Sequence, residues 1–253
     1  MKIFTKILLI SLIETSLLSH DLWVDATNKK VIEANIIYGH NFPKPETISE
    51  ERVSIFEPVK VIGRNGTIQL KQSNYNYNYI GDKKLEKGTY IINANYKPTA
   101  WSETADGKWY MNKTRKDIQE KVKSCGIYSM SAKHILIVEN DDGEFATKPL
   151  NKGFEITPLV KASQIKQGMP IKFKVTKNGK KIKFQDIYGS IEGYSDNDMS
   201  MAFYGKTDLK GEFIFTPLKS GLWYLKANHK SKTNIKDCEI SGDKTTISFQ
   251  VLE

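Results

Sequence analysis

Hydrophobic and polar residues alternate along most of this chain with the two-residue period of half-buried β-strands. The pattern is clear at 21–26 (DLWVDA) and 31–39 (VIEANIIYG), and it returns at 88–97 (GTYIINANYK) and 132–140 (AKHILIVEN). Turn residues such as Arg64-Asn65-Gly66 separate these runs. Because strands joined by short turns pair in antiparallel fashion, the first half of the chain is predicted to be an antiparallel β-domain.

A second set of strand patterns fills the C-terminal half. Asn178-Gly179 is a typical two-residue hairpin turn, and Asp208-Leu209-Lys210-Gly211 is predicted to join two further strands. The polar, glycine-containing segment 141–153 separates the two sets and is the best candidate for a linker. The chain is therefore predicted to be all-β, with two tandem immunoglobulin-like or transthyretin-like β-sandwich domains at 20–140 and 154–253.

Residues 97–124 lack strand alternation and are predicted to form one long loop with a short helix in the first domain. The segment carries Trp101, Trp109 and Tyr110, and its polar part at 114–123 is where we place the helix. Long loops on small β-domains often carry function. The aromatic side chains either belong to such a functional loop or close the end of the sandwich, and both interpretations stay open.

The N-terminus has the pattern of an export signal. Lys2 and Lys6 give a positive start, and 7–13 (ILLISLI) is an apolar run far shorter than the ~20 residues of a membrane span. We predict a signal peptide at 1–19 with cleavage before His20. The mature protein is then expected to be periplasmic and to have no membrane span.

The two cysteines, Cys125 and Cys238, are predicted to form a disulfide. An even pair of cysteines in an exported protein favours this pairing. They are too far apart in sequence for a zinc knuckle. Two buried free thiols are the alternative.

The net charge of +9 does not indicate a nucleic-acid partner. Only Arg52, Arg64 and Arg115 are arginines, and the lysines are scattered through the strand-like segments. Proteins that recognise nucleic acids usually depend on the bidentate guanidinium fork and cluster their charge. We therefore interpret the excess positive charge as a solvated surface.

No familiar enzyme motif stands out: the chain has no Gly-x-Ser-x-Gly elbow, no P-loop and no His-Glu-x-x-His helix. The acidic pairs Asp141-Asp142 and Asp196/Asp198 lack the ligand number of an EF-hand loop and are interpreted as turn residues. We predict a protein that is not an enzyme. An oxygen-activating copper enzyme is the alternative that the histidines described next leave open.

Histidine is scarce, with only His20, His40, His134 and His229. His40 and His229 each follow a predicted strand, whereas His134 lies within one among aliphatic neighbours. If cleavage exposes His20, its α-amine and imidazole can chelate one ion, since both groups lose their protons near neutral pH. Such nitrogen donors suit nickel, copper, cobalt or zinc. The alternative is a set of ordinary polar histidines that do not meet.

Several segments occur in the order found in a known family. They are HDLWVDA, YGHNFPKPETISEERVSIFEP, LEKGTYIINANYKPTAWSETADGKW, CGIYSMSAKHILIV, FEITPL and TDLKGEFIFTPLKSGLWYLKANHK. Together they resemble the periplasmic β-sandwich proteins of unknown mechanism that are often encoded beside nickel and cobalt uptake transporters. The resemblance covers most of residues 20–253.

This resemblance implies a periplasmic protein that binds a divalent transition metal, with nickel expected, and passes it to an inner-membrane or energy-coupled uptake transporter. The family pattern carries over onto His20, His40 and His229 as metal ligands. His134 departs from that pattern, so the resemblance assigns it no role. A non-catalytic envelope or adhesion module without a metal site is the alternative function.

Overall fold

The computed structural model describes residues 20–73, 75–195, 200–233, 235 and 237–253. The predicted signal peptide at 1–19 and the pair Asp196 and Asp198 lie outside these residues. The described chain is all-β, which confirms the predicted fold class. Within this part of the chain, no helix is long and apolar enough to cross a bilayer.

The strands fall into two groups along the chain. Those of the N-terminal half are β1 (Asp21–Asn28), β2 (Ile32–Gly39), β3 (Lys60–Gly63), β4 (Gly66–Gln69), β5 (Lys71–Gln72), β6 (Asn78–Ile80), β7 (Gly88–Thr104), β8 (Trp109–Met111) and β9 (Val122–Val138). Those of the C-terminal half are β10 (Phe154–Pro158), β11 (Ile171–Lys177), β12 (Lys180–Lys181), β13 (Asp186–Ile191), β14 (Phe203–Lys206), β15 (Glu212–Phe215), β16 (Gly221–Lys232) and β17 (Ile240–Val251). The short helices are α1 (Glu50–Val53) and the 3-10 turns Arg115–Asp117, Glu144–Thr147 and Ala162–Gln164.

These strands form three sheets. An N-terminal sheet has the order β1-β2-β6-β5, and a C-terminal sheet has the order β10-β11-β12 with β15 also paired to β11. The central sheet has the order β14-β13-β16-β17-β9-β7-β3-β4, with β8 paired to β7. Because β17 pairs in parallel with β9, this sheet contains strands from both predicted domains.

The central sheet buries a different core on each face. Ile92 of β7 packs into the core under the N-terminal sheet, together with Leu22 and Tyr38. Its neighbour Ile91 packs into the other core, with Phe173 of the C-terminal sheet. Successive side chains of a strand project to opposite faces, so a doubly buried strand needs consecutive apolar residues.

Residues 97–104, predicted to lie in a loop, continue β7 as a strand. The pairing with β9 shifts between Tyr96 and Thr99, so Pro98 falls in the irregular step where no ladder donor is required. β8 then pairs back onto β7 as a hairpin. The helix predicted at 114–123 is reduced to the 3-10 turn Arg115–Asp117.

The predicted linker is packed against the protein. Gly143 has φ 77°, and a Cβ on this residue would lie 2.5 Å from the Cβ of Ala162. Asp141 and Asp142 accept hydrogen bonds from the backbone amides of Gly143 (3.1 Å) and Glu144 (2.9 Å), as expected of turn residues. The connection between the two halves is thus fixed by close contacts.

A buried ion pair joins the two halves under the central sheet. Lys133 of β9 is 2 % exposed and Glu155 of β10 is 1 % exposed, with 2.9 Å between Nζ and Oε2. Lys133 Nζ also donates to Thr157 Oγ1 at 3.1 Å. The Glu155 carboxylate accepts hydrogen bonds from the backbone amides of Leu150 (3.0 Å) and Asn151 (2.8 Å). These bonds satisfy two charges that would otherwise be costly to bury.

Cys125 of β9 and Cys238, just before β17, form the predicted disulfide. The cross-link joins positions 113 residues apart at the start of the parallel β9–β17 pair. Glu239 reinforces this junction, because its Oε2 accepts the amide of Cys125 at 2.9 Å and its Oε1 pairs with Arg115. The disulfide is compatible with an exported protein.

Candidate metal centre

The pairing of β1 with β2 brings His20 and His40 together. Asp21 lies opposite Gly39 in this antiparallel register, so His20 and His40 are the next opposed positions beyond the end of the pair. Directly opposed residues project to the same face of a sheet. The centroids of the two imidazole rings are 4.3 Å apart.

Glu46 completes the cluster. Its Oε1 is 2.7 Å from His40 Nδ1, and its Oε2 is 3.0 Å from His20 Nε2. The chain after β2 folds back to place it there, since Glu46 N donates to Tyr38 O at 3.0 Å and His40 N donates to Glu46 Oε1 at 2.9 Å. One ligand atom from each of these three residues lies within 4.8 Å of the others. Two imidazoles and a carboxylate are a donor set that can hold a transition-metal ion.

Gly39 makes room for the Glu46 side chain. A Cβ on Gly39 would lie 2.9 Å from Glu46 Oε1 and 3.0 Å from its Cγ. The glycine of the Tyr-Gly-His segment therefore lets the carboxylate lie directly against the end of β2.

The pKa shifts of His20 and Glu46 both favour the protonation state that binds metal. Partial burial is the main influence that lowers the pKa of His20, and the neighbouring His40 imidazole acts in the same direction. Desolvation opposes ionisation of Glu46, but its hydrogen bonds with His40 outweigh this and hold its pKa below the usual value. Neutral imidazole and ionised carboxylate are the metal-binding states, so both shifts favour metal binding near neutral pH.

Asp21 anchors the start of β1 and thereby positions His20. Burial alone would raise the pKa of Asp21, but the charges of Lys244 and Lys226 lower it. Asp21 Oδ2 accepts from Lys226 Nζ at 2.6 Å, and Oδ1 accepts from Lys244 Nζ at 2.9 Å. Lys244 Nζ also donates to His20 O at 2.9 Å. The first residues of β1 are therefore pinned to β16 and β17.

The structure does not bring His229 to His20 and His40. Lys226 of β16 points toward Asp21, and His229, an odd number of residues further on, projects to the opposite face of the central sheet. There its Nδ1 is 3.1 Å from Gln185 Oε1, and its ring is 5.6 Å from Phe154. The two predicted ligands that meet are thus His20 and His40, and Glu46 is the third member of the cluster.

Sequence reasoning missed Glu46. It follows His40 by six residues, in a segment with two prolines (HNFPKPE), and no ligand spacing rule covers that distance. The only available signal was a carboxylate shortly after the Tyr-Gly-His turn. Glu46 lies next to the two histidines only because the loop after β2 folds back onto the end of that strand.

His134 is a buried residue of β9 that lies opposite Ser248 of β17. Its Nδ1 lies 3.0 Å from Ser248 Oγ, and that hydroxyl also donates to Val24 O at 3.0 Å. Burial lowers the pKa of His134 to about 4. The side chain therefore stays neutral inside the protein at neutral pH.

The stability of the protein should fall as the pH is lowered from about 6.5 toward 4, in part because of His134. The unfolded chain takes up a proton near the ordinary pKa of 6.5, whereas the folded chain takes it up only near 4. Proton uptake by the unfolded state alone lowers the free energy of unfolding in this window. In urea denaturation at pH 7 and pH 5, His134→Gln should therefore show a smaller pH dependence than the native chain. His20 and His229 also have lowered pKa values, so some dependence should remain. An unchanged slope would contradict this account.

A comparison with curated proteins finds no match to this chain. A family model described as a domain of unknown function (DUF4198) matches residues 17–231. The matched region contains the whole His20–His40–Glu46 cluster. The match extends over most of the described sheets, and this chain accordingly belongs to the DUF4198 family.

Proposed function

We propose that this protein is an exported, periplasmic, non-enzymatic binding protein for a divalent transition metal, which it delivers to an uptake transporter. The observation that carries the proposal is the cluster of His20, His40 and Glu46, whose ligand atoms lie within 4.8 Å of one another. Two nitrogen donors and one oxygen donor suit nickel, cobalt, copper or zinc better than magnesium or calcium. The resemblance to proteins encoded beside nickel and cobalt transporters makes nickel the first candidate.

The accessibility of the cluster supports a delivery role. The side chains of His20 and His40 are 26 % and 25 % exposed, and that of Glu46 is 43 % exposed. An ion held here stays open to solvent on one side, whereas structural metal sites are closed. Such an ion can be exchanged without unfolding the protein.

Signal cleavage before His20 would add a further ligand. The new α-amine would lie on the residue whose imidazole already faces Glu46, and its pKa of about 7.7–8.0 allows it to bind metal at modest proton cost. The contacts of Asp21 and of His20 O with Lys244 hold this residue in place. These contacts favour a fixed orientation for such an amine.

Titration calorimetry with nickel chloride tests the proposal. Mature protein that begins at His20 should bind one nickel ion per chain. A variant with one additional alanine before His20 should bind at least about tenfold more weakly, since it loses the amine ligand, and tenfold corresponds to about 1.4 kcal/mol. Equal nickel affinity of both proteins would show that the α-amine of His20 is not a metal ligand. No binding of nickel, cobalt, copper or zinc would refute the proposal and leave the envelope-module alternative.

A further inference from the structure

We propose that one end of the C-terminal sheet binds the surface of an anionic phospholipid bilayer. The binding surface consists of exposed apolar side chains and of lysines that border them. The inference goes beyond the proposed function and does not depend on it. Its partner is a lipid surface with negatively charged headgroups.

Adjoining chain segments bring apolar side chains together at this end of the sheet. Gly168 N donates to Pro217 O at 2.8 Å, and Gln167 N donates to Leu252 O at 2.8 Å. The exposed apolar residues here, which we call the C-terminal patch, are Leu159 (40 %), Met169 (54 %), Ile214 (59 %), Leu218 (73 %) and Leu252 (39 %). Apolar side chains exposed next to one another mark an interaction surface, whereas single ones are ordinary.

Two residues of the C-terminal patch flank a lysine on the outer face of the sheet. Ile214 of β15 lies directly opposite Lys172 of β11. Leu159 N donates to Lys172 O at 2.8 Å, so Leu159 borders the same lysine from the other side. Phe173, the next residue of β11, is fully buried in the core. Because successive side chains project to opposite faces, the row of Leu159, Lys172 and Ile214 faces solvent.

The two most exposed members that lie in loops can enter a bilayer without any change in the sheet. Met169 lies in the loop before β11, and Leu218 lies in the loop after β15. The backbone bond between Gly168 and Pro217 holds these loops side by side. Apolar side chains held in this way can be buried at the boundary between headgroups and acyl chains.

The fold gathers lysines in this region, although they are scattered in the sequence. Residues 156–185 contain eight lysines and no acidic residue, and residues 213–232 contain four lysines and no acidic residue. Four of these lysines form ion pairs with carboxylates, namely Lys161, Lys172, Lys177 and Lys226. The others have no carboxylate within ion-pair distance in the part of the chain that the structure describes. Those in or beside the C-terminal sheet are Lys166, Lys174, Lys180, Lys181, Lys183 and Lys219.

Unpaired lysines border the C-terminal patch directly. Lys219 follows Leu218 in the chain, and Lys166 is in the same turn as Met169, whose N donates to Lys166 O at 3.2 Å. Lys174 lies two positions after Lys172 and therefore on the same outward face. Their positive charge is complementary to the negative headgroups of an anionic leaflet.

This combination favours a lipid surface over a protein partner. Lysine is depleted in protein–protein interfaces, because an ammonium group loses its hydration when such an interface closes. At a bilayer surface, by contrast, lysine side chains stay in the hydrated headgroup region while apolar neighbours insert more deeply. Electrostatic attraction and apolar insertion then add to each other.

The C-terminal patch and the metal centre lie toward opposite ends of β17. Lys244 Nζ donates to His20 O at 2.9 Å, whereas Leu252 follows the last residue of the strand, Val251. The stretch from Lys244 to Val251 spans roughly 23 Å at about 3.3 Å per residue. A protein bound through the C-terminal patch would therefore keep its metal centre open to solvent.

Sedimentation with lipid vesicles tests the inference. Mature protein that begins at His20 should bind vesicles of phosphatidylcholine and phosphatidylglycerol in equal amounts at least about tenfold more strongly than vesicles of phosphatidylcholine alone. The binding should weaken as sodium chloride is added, because salt screens the attraction between lysines and headgroups.

Two double variants separate the apolar and the electrostatic contributions. Met169→Gln with Leu218→Gln should bind the mixed vesicles about tenfold or more weakly, because two inserting side chains are lost. Lys166→Gln with Lys219→Gln should lose about tenfold or more, and what remains should depend less on salt.

Matched controls alter similar residues elsewhere. Ile68→Gln replaces an apolar residue of β4 that is 43 % exposed, and it should bind like the native chain. Lys113→Gln with Lys116→Gln removes two exposed lysines near the disulfide-linked end of β9, with the same change in net charge as the lysine variant of the patch. It should keep most of the vesicle binding.

The possible outcomes decide the matter. Absence of binding to the mixed vesicles would overturn the inference and leave an acidic protein as the remaining partner for this surface. Equal losses in the patch variants and in the controls would also overturn it, since binding would then follow net charge alone. Far-ultraviolet circular dichroism should show all variants folded; if a double variant is not, Leu218→Gln and Lys219→Gln alone provide the comparison. Nickel titration of the same variants should be unchanged, so failure of the proposed function would be seen separately.

Discussion

His40→Ala and Glu46→Gln should each lower the nickel affinity of the mature protein by about a hundredfold or more. Each substitution removes a donor from a three-residue cluster in which the ligand atoms lie within 4.8 Å of each other. Loss of a residue that merely orients a metal ligand already costs about 10–100-fold, so loss of a ligand itself should cost at least as much. Glu46→Gln keeps the size of the side chain and an acceptor for His40 N, and it therefore isolates the effect of the charge. Titration calorimetry with nickel chloride measures both variants.

His229→Ala is the control for this prediction. His229 lies on the opposite face of the central sheet, next to Gln185 and Phe154. The His229→Ala variant should therefore bind nickel like the native protein. Thermal unfolding should show that all three variants are folded. If His229→Ala lost affinity as strongly as His40→Ala, our assignment of the ligands would be wrong.

Lys133→Met should lower the free energy of unfolding by about 3–5 kcal/mol, the usual cost of breaking one buried ion pair. The substitution fills most of the volume but leaves the Glu155 carboxylate inside the protein without its cation. Glu155 is 1 % exposed, so water cannot take the place of the Lys133 ammonium. Its remaining contacts with the amides of Leu150 and Asn151 offset only part of the loss. Urea denaturation at pH 7 measures the change.

Two further variants identify the cause of that loss. Lys133→Met combined with Glu155→Gln should recover part of the stability, because the buried charge is gone and one acceptor oxygen for the backbone amides of Leu150 and Asn151 remains. Lys71→Met removes an ion pair with Asp82 whose side chains are 76 % and 83 % exposed. This exposed pair should contribute less than about 1 kcal/mol. A loss in Lys133→Met no larger than that in Lys71→Met would contradict the structural role that we assign to the buried pair.

The local features of this protein could be predicted from short stretches of its sequence. Alternation predicted most of the strands, and Asn178-Gly179 forms the expected hairpin turn with φ values of 49° and 76°. Asp208 accepts the amides of Lys210 and Glu212, as its predicted turn requires. These features depend on torsional preferences and on hydrogen bonds between residues a few positions apart, so they can be inferred from a short stretch of chain.

The contacts between segments that are distant in sequence could not be predicted in this way. The parallel β9–β17 pair, which makes one sheet from strands of both halves, links residues more than a hundred positions apart. Neither segment reveals that pairing, because it depends on the total burial gained on both faces of the sheet. Residues 97–104 of the predicted loop at 97–124 form strand for the same reason, since β9 pairs with them along this length.

The candidate metal centre also has features that the sequence predicts and features that depend on the fold. The sequence predicted that His20 precedes one strand and that His40 follows another. The antiparallel register of β1 and β2 then places the two residues opposite each other, so their side chains share a face. His229, predicted to follow a strand, lies inside β16. It is three positions beyond Lys226, which contacts Asp21, and its side chain therefore projects to the opposite face of the sheet. Glu46 reaches the site because the chain after β2 folds back onto the end of that strand. Two of the three residues of the cluster, His20 and His40, could thus be named from the sequence, whereas long-range pairing and burial decided which residues lie together.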